Sequence, residues 1–177
     1  CGRPPVTIEL RNPHSVLAAL ATRPADVIEV RLGDHGLKGA WAEVEQQCVP
    51  AGVPVRRQRG GGRSRGHDAE GSRSSPAVAV VRKRQGVSLD ELFAPAAESR
   101  GTWLALDRLQ DPHNVGAILR SASFFGVRGV VLTRNQSAPL SGTVYDVASG
   151  GIEYVPFSVV SNLARALGHH QMLSCEY

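Results

Sequence analysis

Residues 106–126, Leu106 to Gly126, read LDRLQDPHNVGAILRSASFFG. An apolar run ends at Asp107. A polar loop, Leu109 to Asn114, follows and carries Asp111, His113 and Asn114. From Val115 to Phe125 the apolar residues recur at helical spacing. Asn114 is well placed to cap this helix and Gly126 to terminate it.

The same order recurs on either side. Before the loop, Trp103 to Asp107 (WLALD) reads as a strand. After the helix, Gly129 to Thr133 (GVVLT) reads as a fully buried strand, followed by a loop from Arg134 to Leu140. Val144 to Ala148 then reads as a short helix ending at Gly150-Gly151, Glu153 to Phe157 as a third strand, and Val160 to Leu167 as a third helix. Apolar strands alternating with helices predict an α/β fold with a parallel sheet and right-handed crossovers.

Upstream, Ser15 to Ala21 reads as a helix with Asn12 and Pro13 near its start, Val27 to Leu32 as a strand, and Leu37 to Cys48 as a helix. Val53 to Val55 and Pro76 to Arg82 read as two further strands, so a small αβ unit ends near Arg84. Between Arg56 and Arg84 nine basic residues face two acids, a surplus of +7, whereas the whole chain carries only +4. The part from Arg59 to Ser75 is rich in Gly, Ser and Arg and is expected to be a flexible basic loop, because it buries too little apolar surface to offset its ordering entropy. Val87 to Ala97 reads as a connector, with Ser88 capping a short helix and Glu91 completing a capping box. No internal repeat stands out.

Composition narrows the function classes. The chain has 177 residues, 42 % of them apolar, enough for one packed domain and part of another. No apolar run is long enough to span a bilayer, so no membrane role is expected. Cys1, Cys48 and Cys175 are odd in number and far apart, which argues against a disulfide framework or a metal site and for a reducing, cytoplasmic setting. The basic residues are nearly all arginine, the side chain suited to bidentate phosphate contacts. Lys38 and Lys83 do not follow glycine, so no GxxxxGK[ST] phosphate loop exists, and Gly60-Gly61-Gly62 reads as linker. Val147-Ala148-Ser149-Gly150 lacks the first glycine of a nucleophile elbow. His169 and His170 are neighbours that diverge on a helix and make a poor metal pair.

Ligands of open α/β sheets bind beyond the carboxyl ends of the strands, where this polar loop lies. Two readings of it stay open. In one, Asn114 and Arg120 line a single cavity and Gly116 lets a substrate backbone approach. In the other, Asn114 only caps the helix and Arg120 pairs with Asp111 or Asp107.

The stretch DPHNVGAILRSASFFGV, with its N-x-G-x-x-x-R spacing, closely resembles the first signature motif of the SpoU (TrmH-like) branch of the SPOUT RNA methyltransferases. NQSAPLSGTVYDVASGGIEYVPFSVVSNLARAL, in order after it, is similar to the same branch, nearest to bacterial enzymes that methylate a guanosine 2′-hydroxyl of large-subunit ribosomal RNA. The resemblance runs from Trp103 to Leu167. More weakly, NPHSVLAAL, VIEVRL, AGVPV and AVAVV resemble the L30e-like RNA-binding domain that precedes the methyltransferase domain in that family. Ser74-Ser75-Pro76 stands where the family usually has His-Gln-Gly.

The resemblance implies an L30e-like RNA-binding domain over residues 1–86, with 59–75 as its basic loop, a linker at 87–100, and the first part of a SPOUT methyltransferase domain at 101–177. It implies transfer of a methyl group from S-adenosylmethionine to a ribose 2′-oxygen. Carried over residue by residue, Asn114 orients the site, and Arg120 is either the base or the group that aligns the hydroxyl and phosphate, the second being the easier role for a guanidinium. Arg57, Arg63, Arg65, Arg73 and His113 are expected on the RNA side. The expected partner is RNA, ribosomal RNA first, with a homodimer when full length. A transfer-RNA methyltransferase of the same branch and a non-catalytic RNA-binding remnant are the alternatives. The family's second and third motifs, which enclose the methyl donor, lie beyond Tyr177. The sequence is therefore expected to be a truncated piece, inactive alone, and no donor-binding residue is assigned within it.

Overall fold

The computed structural model describes residues 5–33, 39–58, 77–94 and 101–171, with residues 169–171 as backbone only. It divides into two compact units, Cys1–Lys83 and Arg84–Tyr177. The division falls at Lys83, ahead of the linker expected at 87–100.

In the first unit, strands β1 (Thr7–Leu10), β2 (Val27–Gly33), β3 (Val55–Gln58) and β4 (Val78–Arg82) form a mixed sheet in the order β1-β4-β2-β3. Helices α1 (Pro13–Thr22) and α2 (Ala40–Ala51) pack on each other and bury Val16, Ala19, Val44 and Cys48. β1 was not read from the sequence. The strand expected at Val53 lies two residues further on: Pro54, which has no N–H, accepts from Val30 N at 3.0 Å, and the parallel ladder starts at Val30↔Val55.

The second unit opens on α3 (Leu89–Phe93), capped by Ser88, whose hydroxyl accepts from Glu91 N at 3.1 Å. Strands β5 (Trp103–Leu106), β6 (Gly129–Thr133) and β7 (Phe157–Val160) form a parallel sheet in the order β5-β6-β7. All five residues of β6 are buried, as expected of a central parallel strand. Helix α4 (Pro112–Phe124) packs against α5 (Gly142–Ala148) and α6 (Gly151–Tyr154), and α7 (Leu163–Gln171) contacts β6.

The third strand is displaced from Glu153–Phe157. Residues 151–154 are helical, because Gly150, at φ +90°, restarts a helical turn in which Glu153 N donates to Gly150 O at 3.0 Å. Glu153 is buried in that turn, and β7 begins only after Pro156. The third helix begins at Leu163 instead of Val160; Asn162 Oδ1 accepts from Arg165 N at 2.9 Å at its start.

The structure also shows a likeness missed in the sequence. NPHSVLAAL (residues 12–20) and DPHNVGAIL (111–119) share five of nine residues, and both start a helix in the same way. Asn12 Oδ1 accepts from His14 N and Asp111 Oδ1 from His113 N, each at 2.9 Å. The likeness is one of capping only. The fourth residue, Ser15, is buried in α1, while its counterpart Asn114 is exposed in α4.

Candidate functional site

The carboxyl ends of β5, β6 and β7 are joined by hydrogen bonds between their loops. Arg108 N donates to Thr133 Oγ1 at 3.0 Å, and Ala138 N donates to Leu109 O at 2.7 Å. Arg134 N donates to Val160 O at 2.7 Å. These bonds fix where the chain enters α4, the helix that carries the expected site residues.

The cap of α4 is Asp111, not Asn114. Pro112 takes the first helical position, where its missing N–H costs nothing. That leaves Asn114 in the first turn with its side chain exposed, beside exposed His113. Arg120 is exposed too, and among the described residues it makes no ion pair or side-chain hydrogen bond. Its expected partners are engaged elsewhere: Asp107 Oδ2 pairs with Arg108 Nε at 3.1 Å, and Asp111 caps the helix.

Gly116 serves packing, which corrects its reading as a substrate contact. A β-carbon there would lie 2.7 Å from Val147 Cβ and 2.8 Å from Val144 O of α5, so the glycine lets two helices meet. Arg120 stands six residues beyond Asn114, which places the two about 9 Å apart along the helix axis and about 120° apart around it. Arg120 aligns instead with His113 and Ala117, at spacings of seven and three residues. The groove beside α4, about 320 Å³, is lined by Leu104, Ala117, Ile118, Ser121, Phe125 and Val127, and by neither Asn114 nor Arg120. His113 and Arg120 thus share one face of α4, Asn114 is exposed to one side of it, and this groove takes in none of the three.

In the first unit, Arg57 on β3 is half-exposed and ion-paired with Glu45 of α2. Arg63, Arg65 and Arg73 lie outside the described residues, as does the rest of the expected loop. A chain of ion pairs runs across the sheet from Arg11 to Glu9 (3.5 Å), Arg31 (3.6 Å), Glu29 and Arg56 (2.9 Å). The alternation of Glu29 and Arg31 on β2 was the available signal for it. Burial, then the nearby charge of Glu45, pushes the Cys48 thiol above its ordinary range, and burial lowers Lys83. Among the described residues, no group of three His, Cys, Asp or Glu side chains is placed to hold a metal, and no helix is long and apolar enough to cross a membrane.

A second arginine was not anticipated from the sequence. Arg84 Nη1 donates to Val155 O at 2.8 Å and to Ile152 O, and its guanidinium lies 5.5 Å from the centre of the Phe157 ring. Its amide donates to Tyr145 Oη at 3.0 Å. Arg84 therefore fastens the first residues of the second unit to the end of α6 and the start of β7.

Three comparisons bear on this arrangement. The profile of the SpoU rRNA Methylase family matches residues 101–173. The 23S rRNA (guanosine-2′-O-)-methyltransferase RlmB of Nitrosomonas europaea is 44 % identical over 91 residues, covering 51 % of this chain and 35 % of the relative. RlmB of Bordetella pertussis is 34 % identical over 158 residues, 87 % of this chain and 62 % of the relative. The chain thus spans less than two thirds of the length of these relatives. Among solved structures, the SpoU methyltransferase AviRb of Streptomyces viridochromogenes in complex with AdoMet superposes with a TM-score of 0.67 at 17 % identity, covering 95 % of this chain and 59 % of that one. A putative RNA methyltransferase of the TrmH family from Porphyromonas gingivalis gives 0.63 at 21 %, over 95 % of this chain and 60 % of that one. The structural likeness establishes the expected α/β fold as that of these methyltransferases. Residues 101–173 are thus similar to the SpoU rRNA methylase family in sequence and, with the rest of the described residues, in fold.

Proposed function

We propose that the protein is an S-adenosylmethionine-dependent RNA 2′-O-ribose methyltransferase acting on a guanosine of large-subunit ribosomal RNA. The observation that carries this reading is Arg120: an exposed guanidinium, without an ion-pair partner among the described residues, in the matched family segment. The names of the relatives supply the substrate class.

A ribose hydroxyl is a weak nucleophile near neutral pH and reacts only when positioned. Arginine stays protonated in proteins, so Arg120 does not act as the base. It aligns the 2′-hydroxyl and neutralises the neighbouring phosphate, and Asn114 orients the nucleotide through its amide. His113 and the arginines Arg57, Arg63, Arg65 and Arg73 contact the RNA backbone. Residues 1–83 form the RNA-binding domain and residues 84–177 the methyltransferase part, which takes in α3 of the linker expected at 87–100. The protein works in the cytoplasm, as a homodimer at full length.

The methyl group comes from S-adenosylmethionine. The one described groove that flanks α4 does not fit this donor: its lining is apolar apart from Ser121 and gives no partner to the amino-acid charges. No residue that lines it is therefore assigned to the donor.

The test is transfer of labelled methyl from S-adenosylmethionine to ribosomal RNA, followed by alkaline cleavage. A 2′-O-methyl group blocks cleavage at its own phosphodiester, so the reading requires one alkali-resistant guanosine position. RNA that binds without becoming labelled would favour a binding-only protein, and label on transfer RNA alone would favour the transfer-RNA branch.

A further inference from the structure

We infer that Thr133 is a positioning residue for methyl transfer, its hydroxyl holding the loops at the carboxyl end of the sheet, and through them the start of α4. The inference rests on the transfer reading above.

Thr133 is the last residue of β6 and is 7 % exposed. Its Oγ1 accepts the Arg108 amide at 3.0 Å and lies 2.6 Å from Ser137 Oγ, which in turn reaches Asn135 O at 3.4 Å. With the Arg108 amide as donor and Asn135 O as final acceptor, the protons run one way along the chain, from Arg108 N–H through Thr133 and Ser137. Such aligned bonds strengthen one another.

On either side of this hydroxyl sits a non-glycine residue in the left-handed region: Arg108 at φ +51° and Gln136 at φ +55°. L-residues avoid that region because Cβ crowds the following carbonyl. Packing does not hold Arg108 there, since its side chain is 66 % exposed and, among the described residues, pairs with neighbouring Asp107. What holds its backbone is the bond to Thr133, seconded by Ala138 N to Leu109 O at 2.7 Å. Three residues beyond Arg108 the chain reaches Asp111, the cap that sets the first turn of α4 and with it His113 and Asn114. A strained loop held by one buried hydroxyl, directly ahead of the proposed site, is the arrangement expected of a positioning device.

The experiment compares Thr133→Val, Thr133→Ser and the double variant Thr133→Val/Arg108→Gly, reading hydrogen exchange of the residue-108 amide and methyl transfer from S-adenosylmethionine to ribosomal RNA. Thr133→Val keeps the shape and removes the hydroxyl. Its Arg108 amide exchanges at least about tenfold faster, and kcat falls about 10- to 100-fold, the scale of a small misplacement, while KM for RNA stays within about twofold. Thr133→Ser restores both readouts. Glycine at 108 takes the left-handed conformation without help, so the double variant regains most of the lost kcat. Full kcat in Thr133→Val overturns the inference, as does a loss that glycine at 108 leaves unrepaired. All transfer assays use the full-length protein; absence of transfer by its unmodified form overturns the function reading instead, and the amide exchange still decides whether Thr133 holds the loop.

Discussion

A β-carbon placed on Gly151 would stand 2.9 Å from Cα of Arg120 and 2.9 Å from Leu119 O. The first residue of α6 thus touches the backbone of α4 at the arginine on which the proposed chemistry depends. Gly151→Ala must push the two helices apart. We expect a loss of about 1–3 kcal/mol, the usual scale of overpacking, together with a fall in transfer beyond that accounted for by unfolding. Gly168→Ala is the control: that β-carbon meets nothing within 4 Å, and alanine favours the helix. Equal effects of the two substitutions on denaturant unfolding would contradict the packing described.

Arg84 makes a second test of how the unit is held. Arg84→Met removes the bonds to Ile152 O and Val155 O and the charge over the Phe157 ring, while keeping much of the apolar stem. Hydrogen bonds to charged groups contribute about 1.5–3 kcal/mol, so the unfolding transition of residues 84–171 should weaken by about that amount. Arg84→Lys should recover only part of it, because an ammonium cannot bond the carbonyls and also lay a planar group over the Phe157 ring. An unchanged transition would place Arg84 among the solvated surface arginines.

Cys48 gives a prediction in pH. Burial first, and Glu45 second, raise its thiol in the folded state. Below the ordinary thiol range both states keep the proton, and the contribution of this group to stability is fully present. As pH rises from about 8.5 towards the folded value, the unfolded chain releases its proton first and that contribution is lost. In a Cys1→Ser/Cys175→Ser background, stability should therefore fall more steeply with alkaline pH than in the same protein with Cys48→Ala. Lys83, lowered by burial, tilts the curve the other way in both proteins and cancels in the difference. Parallel pH curves would show that Cys48 titrates normally.

The basic segment predicts a salt effect. Replacing Arg57, Arg63, Arg65 and Arg73 with Ala should weaken binding to ribosomal RNA fragments and flatten its dependence on salt. The log–log slope should shrink by about 0.9, the B-DNA value, for each phosphate that is no longer neutralised. Arg57→Ala alone should do least, since Arg57 is already paired with Glu45. A slope left unchanged by all four replacements would make the segment a solvated linker.

How much of this could be read from the sequence differs by element. The central strand of the second unit, Gly129–Thr133, was legible because every residue of it is apolar or β-branched and is buried from both faces. The strand expected at Glu153 was not there: its β-favouring composition yields to the close approach of Gly151 to α4 and to Pro156. The helix cap was misplaced by three residues although Pro112 marks the first helical position, so Asp111 was available from the same signal. The helix carrying Asn114 and Arg120 was legible, but their relation was not. That Asp107 pairs with Arg108, and that the Arg108 backbone is left-handed, no sequence pattern announces.

The most direct test is Arg120→Ala in the full-length protein, measured for both methyl transfer and thermal unfolding. Arg120 is exposed and makes no ion pair among the described residues, so its removal should move Tm by no more than a degree or two, as for ordinary surface substitutions of about 0.5 kcal/mol or less. Transfer to ribosomal RNA should fall by about a hundredfold or more, the scale seen when a charge-stabilising donor is removed, with RNA affinity nearly unchanged. Retained transfer, or a loss of activity that only follows a large fall in Tm, would contradict the account.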